Sequence, residues 1–157
     1  MKTSRKPYSL IMLGVLVLVC LHSFFTAQTA ALQAATSCVV VNVKGIRNTK
    51  GKVLIGLWKS KDGFPKDRSK ALNVATVEII NGTATTMFRD LPHGDYAVAT
   101  YHDENNNGKM DTNLFGVPTE GVGTSNDAHR GFSAPSFDQC RFGVSEPEKV
   151  ISINMHY

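Results

Sequence analysis

From residue 37 onward the apolar positions alternate instead of recurring at helical spacing. Val39, Val41 and Val43 alternate with Val40 and Asn42, and the run closes at Lys44-Gly45. After the turn Asn48-Thr49-Lys50-Gly51, residues 52–59 put Val53, Ile55 and Leu57 on one face and Leu54, Gly56 and Trp58 on the other. A period of two is the signature of a strand. Residues 74–80 and 83–89 flank Asn81-Gly82, a strong hairpin signal because both residues accept positive φ. The turn Pro92-His93-Gly94-Asp95 precedes a strand over 96–102, and residues 137–144 and 149–156 supply two more. About seven strands without a sustained helical pattern predict an all-β chain, folded as a single small antiparallel β-sandwich.

Two stretches break this rhythm. Residues 60–73 form a polar connection with Phe64 embedded in it. Residues 103–136 are rich in Asn, Gly, Asp, Ser and Pro. Loops longer than about 15 residues are uncommon in compact domains and usually carry function. The long Asn/Gly-rich loop is therefore where function is expected.

The first 31 residues read differently. Lys2, Arg5 and Lys6 precede an apolar run from Leu10 to Leu21, and the small-residue stretch Thr26-Ala27-Gln28-Thr29-Ala30-Ala31 follows. A charged start, a short apolar segment and a small-x-small site are the parts of a secretory signal peptide. The run is too short for a ~30 Å hydrocarbon core, which takes about 20 residues. The competing reading extends it through Phe24 and Phe25 as an uncleaved anchor. The expected organisation is a signal peptide over 1–31, a short linker over 32–36 and one domain over 37–157. The protein is then exported, periplasmic or extracellular, and meets a membrane only through its N-terminal signal segment.

Charge adds little once that segment is set aside. The formal net charge is +4, but 14 basic and 13 acidic residues remain after Lys2, Arg5 and Lys6 are discounted. A near-neutral domain lacks the basic footprint of a nucleic-acid binder. Of the three cysteines, Cys20 lies in the signal segment, leaving Cys38 and Cys140. An even pair in an exported chain points to a disulfide; two buried free thiols are the alternative.

The long loop opens with Asp103-Glu104-Asn105-Asn106-Asn107-Gly108-Lys109-Met110-Asp111. Its D-x-N-x-N-G-x-x-D spacing matches the first nine positions of a calcium loop. Oxygens at alternate positions converge, a glycine allows the sharp turn, and the seventh residue offers its carbonyl. Asp103, Asn105, Asn107, the Lys109 carbonyl and Asp111 take those roles for a weak structural Ca²⁺. Leu114 stands where an EF-hand has its bidentate glutamate, so an EF-hand proper is excluded, and Glu104 and Glu120 are candidates for the missing oxygens. The same composition orders itself without metal, since Asx side chains cap their own turns. Both readings stay open.

Two function classes compete. The first is a non-enzymatic exported module whose loop, with His102, Glu120, Ser125 and Asn126, presents a binding surface to a protein or glycan of the cell envelope. Trp58 and Phe64 are either anchors of that surface or core. The second is an enzyme drawing on His102, Asp103, Glu104, Asp111, Glu120, Ser125, Asp127 and His129. No catalytic signature organises those groups. His102 and Asp103, adjacent in an extended strand, point to opposite sides. A zinc site using His102, His129 and a carboxylate is a minor variant.

One block is specific enough to resemble a known family. Leu91-Pro92-His93-Gly94-Asp95-Tyr96-Ala97-Val98-Ala99, continuing from His102 through Asn113, resembles the DUF2141 family. So do Gly116-Val117-Pro118-Thr119-Glu120-Gly121-Val122-Gly123, Ser125-Asn126 and Pro135-Ser136-Phe137. The resemblance covers about residues 37–157 and implies an exported bacterial protein without an established activity. Its L-P-x-G-x-Y turn is also similar to that of transthyretin-like and carboxypeptidase-regulatory-like sandwiches, which implies the same fold. The Cys38/Cys140 pair is not part of the motif.

Overall fold

A computed structural model describes residues 36–128 and 133–157; the expected signal peptide over 1–31, the part of the expected linker before Thr36, and His129 lie outside the described residues. Eight strands form two sheets: β1 (Thr36–Lys44), β2 (Lys52–Trp58), β3 (Asn73–Val77), β4 (Ala84–Pro92), β5 (Gly94–Asp103), β6 (Val122–Thr124), β7 (Phe142–Val144) and β8 (Glu148–Asn154). The first sheet has the order β4-β1-β8, and the second the order β3-β2-β5-β6, with β7 also paired to β5. This is the expected all-β sandwich.

Alternation decides what the sheets bury. Val39, Val41 and Val43 of β1 are fully buried against Val53, Ile55 and Leu57 of β2, with Phe88, Leu91, Tyr96, Val98, Val144 and Ile153 completing the core. Burying side chains of this size stabilises by roughly 1.5–3 kcal/mol each before entropy is subtracted. The L-P-x-G-x-Y turn is fixed by Tyr96, whose ring is buried and whose hydroxyl donates to the Pro92 carbonyl at 2.5 Å. Burial also pushes the Tyr96 phenol up from its ordinary pKa.

Four details correct the sequence reading. First, the sandwich is not wholly antiparallel, because β1 and β8 pair in parallel from Cys38↔Glu148 to Lys44↔Asn154. More than a hundred residues separate these strands, so no tight turn dictates their direction. Second, Asn81-Gly82 does make a tight turn, with φ of 53° and 74° and both Ile80–Thr83 hydrogen bonds closed. The strands it joins then separate: β3 pairs with β2 and β4 with β1, so the turn is a corner between sheets.

Third, residues 137–144 are not one strand. Gln139 Oε1 accepts from the Ser136 N–H at 2.8 Å and the Ser136 hydroxyl at 2.9 Å, which starts a short helix, α1 (Phe137–Cys140), before β7. Fourth, the long polar stretch contains a strand of its own, β6, paired to β5 at Ala99↔Thr124, Thr100↔Gly123 and Tyr101↔Val122.

Candidate functional site

The D-x-N-x-N-G segment leaves the end of β5 as a ladder of side chain-to-backbone bonds. The Asp103 carboxylate accepts from the N–H groups of Asn107 at 3.1 Å and Gly108 at 2.8 Å. Asn105 Oδ1 accepts from Asn107 N–H at 3.0 Å, and Asn107 Oδ1 from Lys109 N–H at 2.7 Å. Asn105 and Asn107 then both donate their amides to Asp111, at 2.7 and 2.9 Å. The spacing thus brings Asn105, Asn107 and Asp111 to one point, while Asp103 braces the turn from beneath. Among the described residues, no group of three His, Cys, Asp or Glu side chains is arranged to hold a metal ion.

Glu120 is the brace that closes the loop. It is buried, and its two oxygens accept from Glu104 N–H at 2.9 Å and Asp111 N–H at 3.0 Å. Between these anchors the chain runs out and back, tied by Thr119 N–H to the Asp111 carbonyl and Asn113 N–H to the Val117 carbonyl, both at 2.9 Å. Asn113 Oδ1 accepts from Phe115 and Val117, and the tip holds Leu114 and Phe115 almost wholly in solvent. Glu104 meets Asn48 at 2.8 Å and Arg47 at 2.5 Å. Burial alone would raise its pKa, but these hydrogen bonds and the Arg47 charge outweigh that and hold it below the ordinary value.

The other residues expected on a binding surface are mostly internal ties. His102 is fully buried, with Nδ1 at 2.8 Å from the Tyr157 hydroxyl and Nε2 at 2.6 Å from the Lys50 carbonyl. Ser125 is also buried, accepting from Val98 N–H at 2.9 Å and donating to the Cys140 carbonyl at 2.6 Å. Asn126, at φ 63°, donates to the carbonyls of Gln139 and Arg141 and fastens the β6 exit to α1. His102, turned inward by the pleat of β5, and Ser125, in the turn after β6, are both closed off from solvent. Asp127 is bound to Asn154.

The expected Cys38–Cys140 disulfide is also corrected, since both are free thiols. Cys38 alternates with the buried Ser37 and Val39, so it faces the outside of the first sheet, 3.8 Å from Glu148. Cys140 is fully buried at the end of α1, and that burial raises its thiol pKa. Cys38 thus lies on the outer face of β1, whereas Cys140 is enclosed at the end of α1.

Sequence reasoning missed a concavity on the second sheet. The outer face of the second sheet carries Leu54, Gly56 and Trp58 from β2, Ala99 and Tyr101 from β5, and Val122 and Thr124 from β6. Pro65 to Arg68 on one side and Met110 to Glu120 on the other stand over that face and enclose a cleft of about 630 Å³. Trp58 is buried in one wall, edge-on to Phe64 at 5.3 Å, and Phe64 is edge-on to Phe137 at 5.9 Å. Neither Trp58 nor Phe64 is an exposed anchor. Arg68 reaches across above the floor, donating to the Gly108 carbonyl at 2.6 Å and lying 5.4 Å over the Tyr101 ring. Burial pushes the Tyr101 phenol up, with the Arg68 charge acting against it. The sequence signal was present: residues 53–58 are apolar on both faces, so both faces must be covered.

The family model described as "Uncharacterized protein conserved in bacteria (DUF2141)" matches residues 41–152, more than half of the chain. The chain belongs to the DUF2141 family. No curated protein and no solved structure matches it. The DUF2141 segment takes in the 103–111 turn, the Glu120 brace and the strands that floor the cleft. Tyr157, the partner of His102, falls outside the matched DUF2141 residues.

Proposed function

We propose that this DUF2141 domain is an exported, non-enzymatic binding module of the cell envelope. Its working surface is the cleft on the second sheet, and residues 103–111 hold a weak structural Ca²⁺ that stiffens one wall. The observation that carries this reading is the cleft of about 630 Å³, a size that suits a small ligand or a single inserted group. Export is supported by the basic start, the apolar run from Leu10 to Leu21 and the small residues before Gln33.

The placement of the polar groups supports binding over catalysis. An acid, a base and a nucleophile must converge on one concave site. Of the described candidates, Glu120 lines the cleft, whereas His102, Asp103, Ser125 and Asp127 are spent on backbone or neighbouring side chains elsewhere. Glu120 itself holds two amides of the wall.

Calcium is supported by the convergence of Asn105, Asn107 and Asp111. Rotation of the two amides would turn their oxygens inward, in exchange for the bonds they now accept from Asn107 and Lys109 N–H. Few charged ligands keep the expected Kd near 10⁻⁴–10⁻³ M. The test is a thermal melt of the purified protein in EGTA and then in ~5–10 mM CaCl₂. A site of ~10⁻⁴ M adds about 2 kcal/mol or more under these conditions, since only the folded state binds. A rise in Tm that Asp111→Ala abolishes supports the metal; identical melts remove it and leave the asparagines as turn formers.

A further inference from the structure

The depth and charge of the cleft narrow what enters it. Gly56 and Ala99 face each other in register at its centre, and Thr124 sits beside Ala99. The next pairs outward on the same face are Leu54↔Tyr101 and Trp58↔Ala97. The Trp58 indole packs over Gly56, so the hollow opens over Ala99; it is lined chiefly by carbon, with Met110, Val117, Pro118 and Pro65 closing it from above.

Among the described residues, the charges at its mouth are of one sign. Lys66 and Lys109 are exposed, and neither has an acidic partner within 4 Å among the described residues. Arg68 uses one N–H on Gly108, leaving other donors of its guanidinium. The acid in the lining, Glu120, is 5% exposed and has both oxygens occupied by main-chain N–H groups. Asp103 is equally buried and equally committed, and Asp111 turns its carboxylate toward Asn105 and Asn107. The charge a ligand meets first is therefore cationic, above an apolar floor.

We infer that the cleft binds an amphipathic anion: an acyl or aryl body over Ala99, beside Tyr101 and Val122, with a carboxylate or phosphate head at Lys66, Arg68 and Lys109. This rests on the binding-module reading and names its ligand class. Burial of the apolar body supplies affinity, and the cationic mouth supplies discrimination against neutral and positive amphiphiles. The same chemistry is offered by a free fatty acid and by a phosphate-headed lipid.

The single tryptophan, Trp58, lies in the cleft wall and reports occupancy directly. The purified protein, in EGTA, is titrated with laurate, dodecyl phosphate and dodecyltrimethylammonium, each below its micelle concentration, while Trp58 emission is followed. The expected result is a saturable change with at least one anion and binding of the cation weaker by about tenfold or more, equivalent to about 1.4 kcal/mol. Laurate alone assigns the carboxylate source; dodecyl phosphate alone assigns the phosphate source. The double variant Lys66→Glu with Lys109→Glu, whose unchanged melt shows that it folds, is expected to lose the anion preference. Ala99→Leu fills the floor and removes saturable binding of every amphiphile. Equal binding of anion and cation overturns the anion assignment while leaving a binding cleft in place. Absence of a saturable change with either anion overturns the inference, whatever the calcium melt shows.

Discussion

Tyr157 OH lies 2.8 Å from His102 Nδ1, and the two rings meet edge to face with centroids 6.1 Å apart. The Lys50 carbonyl is 2.6 Å from Nε2 and can only accept, so Nε2 carries the hydrogen and Nδ1 accepts from the phenol. The phenol oxygen in turn accepts from Arg47 N–H at 3.1 Å, and the Arg47 guanidinium lies 4.3 Å over its ring. Three distant parts of the chain, the β1–β2 turn, the end of β5 and Tyr157, are thereby joined through one fully buried imidazole.

Tyr157→Phe keeps the ring but strands His102 Nδ1 in a buried site. An unsatisfied buried group costs about 1–3 kcal/mol. Urea denaturation is expected to show a loss of that size at unchanged m value. A variant as stable as the parent would show that Nδ1 finds another donor.

Glu104 predicts the acid limb of stability. Its folded-state pKa lies below the ordinary glutamate value of about 4.3–4.5, so on acidification the unfolded chain takes up this proton first. The contribution is therefore fully present above the unfolded pKa and is lost as pH falls through the lower, folded pKa. Denaturation midpoints of the parent should fall more steeply below about pH 4.5 than those of Glu104→Gln. Parallel curves would assign the acid limb to other carboxylates.

A side chain cannot be added at Gly56 without moving Trp58. A Cβ there falls 2.4 and 2.5 Å from two atoms of the indole six-membered ring. Gly56→Ala is expected to cost about 1–3 kcal/mol through overpacking. Trp58 emission should shift to the red as the ring leaves its wall, a change that simple loss of stability below the melt does not produce.

The two thiols should differ in reactivity. In the native protein, alkylation at pH 8 followed by peptide mass mapping is expected to modify Cys38 and spare Cys140, which reacts only after denaturation. Burial both shields the Cys140 sulfur and raises its pKa, and the thiolate is the reactive form. A reducing agent should leave the melt unchanged.

The alternation of Val39–Val43 and of Val53–Leu57 was enough to place two strands and their inner faces, because a half-buried strand writes its burial at period two. The loop was legible in part: D-x-N-x-N-G spacing is a local geometric property and brings Asn105, Asn107 and Asp111 together, but it did not show that Asp103 is taken up by the Asn107 and Gly108 amides. What local pattern does not encode is the partner of a polar group at long range. His102 reads as a candidate base until Tyr157 and Lys50 are found on it, 55 and 52 residues away. Counting cysteines failed for a related reason: parity ignores the pleat, which turns Cys38 to the outer face of β1. The cleft was half visible. Leu54 and Trp58 announced a covered outer face, but the covering segments, 65–68 and 110–120, carry no signal saying where they lie.

The parallel pairing of β1 with β8 has a mechanical consequence. Tension applied between Thr36 and Asn154 runs along both strands in opposite directions and loads their ladder in shear. The seven paired positions from Cys38↔Glu148 to Lys44↔Asn154 then resist together instead of peeling one by one. With β1 also held along its other edge by β4, the first sheet acts as a clamp between the two ends of that pair.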